Sequence, residues 1–299
     1  MKPTLEGIEA YVQNNRGKIK TAIQMAWPSV LESFFVALAG MVDSVMVSSI
    51  GAYAVAAVGL TTQPKFIGLA LFIALNVSVS AIVARRKGEQ DRYGANQTLL
   101  LALLFTIAAG MLISMVCVTL ADPIIRLCGS AEDTHDSAVL YFRIIMGGML
   151  FNIISLVINA AQRGAGKTRI AMVTNVTSNV TNIIGNYLLI GGHFGFPAMG
   201  IQGAALATVF GTVIACVMSI LSLFKKESFV NAVYCVREHV KLSLKPVKSI
   251  VRLSSSVFLE QILMRIGFMS TAVMAAKLGT EAVSYTHLDV YKRQDLKLW

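Results

Sequence analysis

The sequence predicts an all-α membrane protein: a six-helix transmembrane lobe followed by the first helix of a second, parallel-repeat lobe. Three observations carry that prediction. Six long apolar segments occupy residues 25–50, 54–84, 99–120, 139–161, 170–190 and 202–224, each about long enough to cross a hydrocarbon core of roughly 30 Å. The connections between them alternate between basic and almost uncharged. A weaker copy of the first segment reappears near the end of the chain.

In chain order, residues 1–22 form a polar tail, and the apolar run that follows is too long for a secretory leader's core. The tail carries Lys2, Arg16, Lys18 and Lys20, the 85–98 connection four Lys or Arg, the 162–169 connection three and the 225–252 segment seven; the intervening connections carry only Arg126. Cytoplasmic loops retain Lys and Arg whereas translocated loops do not, so the N-terminus and the long basic segment are expected on the cytoplasmic side of a multi-pass bacterial inner-membrane protein. The net charge of +10 then reflects topology. It is split among loops instead of forming one patch, which argues against a nucleic-acid surface. With 55% hydrophobic and 14% charged residues, the chain also departs from soluble domains, whose charged fraction is about a quarter. The lipid bilayer is the expected partner, and no obligate protein partner is inferred.

After the lobe at 23–224, residues 225–252 read as a basic cytoplasmic inter-lobe linker. Lys225, Lys226, Arg237, Lys241, Lys245, Lys248 and Arg252 alternate there with Val and Leu, which fits an amphipathic helix on the anionic inner leaflet. A shift of 228 residues then aligns the first segment with residues 254–283 at eight identities in thirty positions, Glu32 with Glu260 among them. Six crossings between the copies make the relation parallel, so 253–283 is expected to open a second lobe. Two periods exceed the 299 residues present, and 284–299 read as a non-native tail.

Ionisable groups inside a span cost several kcal/mol unless paired or wet, so they are functional candidates. Glu32 and Asp43 lie eleven residues apart on the first segment, about 20° apart in azimuth and about 16 Å along the axis. Either carboxylate is suited to a cavity that takes protons or cations, or to a buried hydrogen bond. Asn175, Asn179, Asn182 and Asn186 share one face of the fifth segment, and Asn152, Ser155, Asn159 and Gln162 repeat the pattern on the fourth. Such stripes line aqueous cavities or bond to neighbouring helices; a shared interior is the reading taken here.

Other motifs fail. Gly166-Lys167-Thr168 resembles the end of a phosphate loop, but the first glycine would be residue 161, which is Ala, and an apolar span precedes it instead of a strand. Cys117, Cys128, Cys216 and Cys235 fit no metal or redox spacing, and His135, His193 and His239 stand alone in sequence. No enzyme, cofactor or metal signature is present.

Three stretches resemble the multidrug and toxic compound extrusion (MATE) family of cation-coupled antiporters: Ala84-Arg85-Arg86-Lys87-Gly88-Glu89-Gln90-Asp91, Gln162-Arg163-Gly164-Ala165-Gly166-Lys167-Thr168-Arg169, and the run from Gly195 to Thr208. With Asp43 ahead of Gly51, the resemblance covers about residues 20–283. It implies a twelve-helix protein whose lobes form a V-shaped cavity, exporting drugs or organic cations in exchange for Na⁺ or H⁺. It further implies that Asp43 takes the coupling ion beside Asn182 and Asn186, with Glu32, Asn152, Asn159, Gln162, Asn175, Asn179 and Glu260 as candidates for lining the cavity. Asn186 stands where some members have Asp, which bears on a proton-only mechanism. Gly40, Gly68, Gly147 and Gly148 are expected where helices approach or bend. A lipid-linked precursor flippase of the same superfamily and a non-transporting scaffold are the alternatives.

Overall fold

A computed structural model describes residues 16–225, 228–242 and 246–276. Ten helices follow in order among them: α1 Arg16–Ser48, α2 Ala52–Gly88, α3 Arg92–Thr119, α4 Ala121–Leu127, α5 Glu132–Gly147, α6 Met149–Gly164, α7 Thr168–Gly191, α8 Gly200–Ser222, α9 Ala232–Arg237 and α10 Val247–Ala276. A 3₁₀ turn at His193–Gly195 separates α7 from α8, and no strand occurs among the described residues. The expected tail at 284–299 lies outside them.

By length and apolarity, four helices can cross a membrane: α1 from Lys20, α2, α3 and α8. The fourth apolar segment is not one rod. It is α5 and α6, bent by 46° and together long and apolar enough for a fifth crossing. The break falls at Gly147 and Gly148, and a Cβ on Gly148 would sit 2.6 Å from Val209, so α8 packs directly against the bend. At 24 residues α7 has the length to span but falls short in mean hydropathy, because its asparagine stripe dilutes the apolar residues. The seventh helix starts at Val247, six residues ahead of the expected boundary, immediately after Pro246, a residue suited to helix starts because its missing N–H would be unpaired there anyway.

The basic connections meet at one end of the lobe. Lys87 Nζ donates to Ala165 O (2.6 Å), tying the turn after α2 to the turn after α6. Arg92 donates to Ser228 O and Phe229 O (3.0 and 3.1 Å), and the amide of Asn231 donates to Asn96 Oδ1 (2.8 Å). Val230 is fully buried. This anchoring departs from the expected amphipathic helix: among the described residues of 225–246 only α9 is helical, and Ser228, Val230 and Asn231 are drawn into the lobe by α3 and α6. The sparsely basic 191–201 connection lies at the other end, where Gly200 approaches Ile50. There, Arg126 Nε donates to Asp122 Oδ1 (2.8 Å) and His135 Nε2 lies 3.0 Å from Asp122 Oδ2. These bonds from Arg126 and His135 hold the Asp122 carboxyl down at about 2.

Packing within the lobe uses small residues, as expected where lipid removes the hydrophobic drive between helices. Ala54, Ala57, Ala160, Ala161, Ala204 and Ala205 are all buried, with Phe72, Phe142, Met146 and Ile153 filling the space between them. The residues left exposed include Phe34, Leu112, Met115, Phe210 and Leu221, an apolar belt that suits hydrocarbon.

Gly164 explains one of the motif stretches. A Cβ there would lie 2.4 Å from Ser80 O and 3.1 Å from Val83 Cβ, so α6 can touch α2 only with hydrogen at this position. Gly164→Ala is therefore expected to push the two helices apart and cost about 1–3 kcal/mol. Thermal denaturation in detergent checks this against Gly40→Ala, where a Cβ would meet nothing within 4 Å.

Candidate functional site

Asp43 lies about one and a half turns into α1 from its Ser48 end, half-buried. Its Oδ1 accepts a hydrogen bond from Asn186 Nδ2 of α7 (2.5 Å). Asn186 is fully buried, yet its own Oδ1 has no partner among the described residues. One turn earlier, Asn182 Nδ2 donates to Thr208 Oγ1 of α8 (3.0 Å), and Tyr141 of α5 hydrogen-bonds the same threonine. Lys65 of α2 is close enough for its charge to act on Asp43. Five helices thus contribute a carboxylate, two amides, two hydroxyls and one lysine side chain to one cluster.

A buried amide oxygen without a donor carries a desolvation cost of about 1–3 kcal/mol. Carboxylate, amide and hydroxyl oxygens are also the ligands that hard cations select. Asp43 and the unpaired Asn186 Oδ1 therefore fit a monovalent cation or a proton, and the predicted pair of Asp43 and Asn186 is brought into contact.

Glu32 sits in a different cluster. Its Oε1 accepts from Arg163 Nη1 (3.0 Å) at the end of α6 and from Asn175 Nδ2 (2.5 Å) on α7. The asparagine stripe therefore serves two sites: Asn175 the basic end, Asn182 and Asn186 the other. Asn179, between them, is half-buried and makes no side-chain hydrogen bond among the described residues.

The stripe on α6 behaves differently from the expectation of a cavity wall. Asn159 and Gln162 are buried at 1% and 0% exposure. Ser219 Oγ donates to Asn159 Oδ1 (3.2 Å), Gln162 Nε2 donates to Ser222 Oγ (3.2 Å), and Ser228 Oγ donates to Gln162 Oε1 (2.8 Å). These groups tie α6 to α8 and to the segment beyond it, because two serines one turn apart on α8 face them. Asn152, higher on α6, is half-buried without such a bond, and Glu260 is exposed on α10 with no partner among the described residues.

Sequence reasoning missed Lys65, Tyr141 and Thr208. Lys65 had a clear signal, being the one charged residue within the apolar span 54–84. Thr208 closes one of the quoted motif stretches, whereas Tyr141 carries no signal that separates it from a core aromatic.

An all-α bundle whose helices are long and apolar enough for four or five crossings defines a multi-pass membrane protein. The chain matches the MatE family profile over residues 28–188, more than half its length, and it belongs to that family. It is 29% identical over 211 residues to the probable multidrug resistance protein NorM of Thermotoga maritima, covering 70% of this chain and 45% of that protein. It is 30% identical over 196 residues to the multidrug resistance protein PmpM of Pseudomonas aeruginosa, covering 64% of this chain and 40% of the relative. It therefore spans less than half the length of either. Its fold superposes on a multidrug resistance MATE family transporter of the MOP superfamily in an outward-facing conformation, with a TM-score of 0.78 at 25% identity, covering 93% of this chain and 60% of that one.

Proposed function

We propose that the transporter containing this lobe sits in the bacterial inner membrane with its basic end cytoplasmic and exports organic compounds, often cationic, by antiport with Na⁺ or H⁺. The observation that carries the reading is the Asp43–Asn186 contact beside an orphaned amide oxygen at membrane depth. A cation or proton entering there satisfies the carboxylate and the free oxygen together. Ion binding can bias one conformation of the transporter only through differential affinity for the two states, and a site shared between α1 and α7 changes its geometry whenever these helices shift. The family match and the similarity to multidrug resistance proteins support the same reading.

The test is dye export from everted vesicles made from cells expressing the full-length gene that carries this lobe. Dye movement should follow an imposed Na⁺ or H⁺ gradient and stop when the gradient is collapsed. Movement indifferent to both gradients overturns the antiport reading.

A further inference from the structure

At the basic end, the start of α7 and the last turn of α8 border an open cavity of about 470 Å³. Lys167, Arg169 and Lys225 line it together with the apolar side chains of Ile170, Val173 and Met218. None of the three cations takes part in an ion pair among the described residues, although their neighbours do: Arg85 and Arg86 pair with Glu89 and Asp91, and Arg163 pairs with Glu32. Nor is the cavity's polar floor available to them, since Ser222 Oγ is held by Gln162 and by Ser219 O.

We propose that this cavity is a binding site for the phosphodiester headgroup of an anionic phospholipid. Three cations around one cavity, with no acid among the described residues that line it, call for an anion, and phosphate is the anion they suit near an anionic membrane surface. The apolar wall selects the source. A free phosphate gains nothing from Ile170, Val173 and Met218, whereas a lipid lays the first methylenes of its acyl chains against them. The location agrees, because these residues stand where apolar spans give way to basic connections, the depth at which headgroups lie. The Gly166-Lys167-Thr168 string, which lacks the strand and first glycine of a nucleotide loop, thereby acquires a phosphate-directed role of another kind. Lys225 links the site to the segment between the lobes, so a bound lipid ties that segment to the membrane.

Native mass spectrometry of the purified chain tests this, with phosphatidylglycerol and phosphatidylcholine of equal chain length added together. The wild-type chain should retain phosphatidylglycerol with at least about tenfold preference. The K167Q/R169Q/K225Q variant should bring the two lipids near parity, while R237Q/K241Q/K248Q, which removes the same charge outside the cavity, should keep the preference. Val173→Trp, which leaves the cations in place and fills the apolar wall, should also lower phosphatidylglycerol retention; circular dichroism verifies that each variant is as helical as the parent. Equal loss in both triple variants would mean diffuse charge attraction and overturns the site. Displacement of phosphatidylglycerol by millimolar inorganic phosphate, or full retention in Val173→Trp, overturns the lipid as its occupant in favour of a free anion.

Discussion

Asp43→Asn is expected to abolish the proposed gradient-driven export in the full-length protein while leaving it folded and inserted. The substitution is close to isosteric, and the new amide oxygen can still accept from Asn186 Nδ2 as the carboxylate does (2.5 Å). What disappears is the cluster's only carboxylate; Asn182, Asn186, Tyr141 and Thr208 carry no acid that could replace it. With Asn at 43, the cluster has no acidic group left to attract a cation or take up a proton. Removing one charge from a paired, partly buried site typically costs about 3–5 kcal/mol, which corresponds to at least about a hundredfold loss in ion affinity. Ion binding then no longer separates the two conformations at ordinary gradients. The measurement is dye flux per transporter in everted vesicles, normalised to immunoblotted protein, with and without the gradient. Coupled flux within a factor of about two of the parent would remove Asp43 from the mechanism.

Why the sequence disclosed Asp43 and Asn186 but not the rest of the cluster is a matter of where each signal resides. A carboxylate in an apolar run is costly wherever the partner lies, so it is visible locally. The same rule exposes Lys65, which an emphasis on acids passed over. The amide stripes were equally visible, but their azimuth says only that several asparagines share a face, not who answers them. On α7 the answer comes from α1, 143 residues away for both Asn175–Glu32 and Asn186–Asp43. On α6 it comes from serines 60 residues further along, Ser219 and Ser222, and this turns an expected cavity wall into a packed seam. The bend between α5 and α6 is hidden for the same reason. Two adjacent glycines permit it, but Val209 of α8 occupies the room that a side chain on Gly148 would need. The alternation of basic and uncharged connections required no such partner, and in the structure the strongly basic connections gather at one end.

The second carboxylate of α1 provides the contrasting case, and Glu32→Ala is expected to destabilise the lobe instead of uncoupling it. Glu32 and Arg163 are only 13% and 25% exposed, and Glu32 Oε1 is shared with Asn175 Nδ2. Deleting the acid strands a guanidinium and an amide in poorly hydrated surroundings, at a cost of about 3 kcal/mol, which should lower the thermal midpoint in detergent by roughly 5–10 °C. Removing both charges together, as Glu32→Gln with Arg163→Met, should recover much of that loss, since no unpaired ion is left behind. Glu260→Ala is the matched control, because Glu260 is exposed and has no partner among the described residues. If Glu32→Ala falls no further than Glu260→Ala, the ion pair contributes nothing to holding α1 against α6 and α7. The comparison also separates the roles of the two α1 acids. A carboxylate directly ion-paired to a fixed arginine has no vacancy for a mobile cation, whereas Asp43 makes no ion pair among the described residues and is bonded to an amide whose own oxygen nothing satisfies. Carboxylates on one helix face thus divide into a fastener at the basic end and a candidate ion site nearer the other, according to whether an arginine is directly ion-paired to the acid.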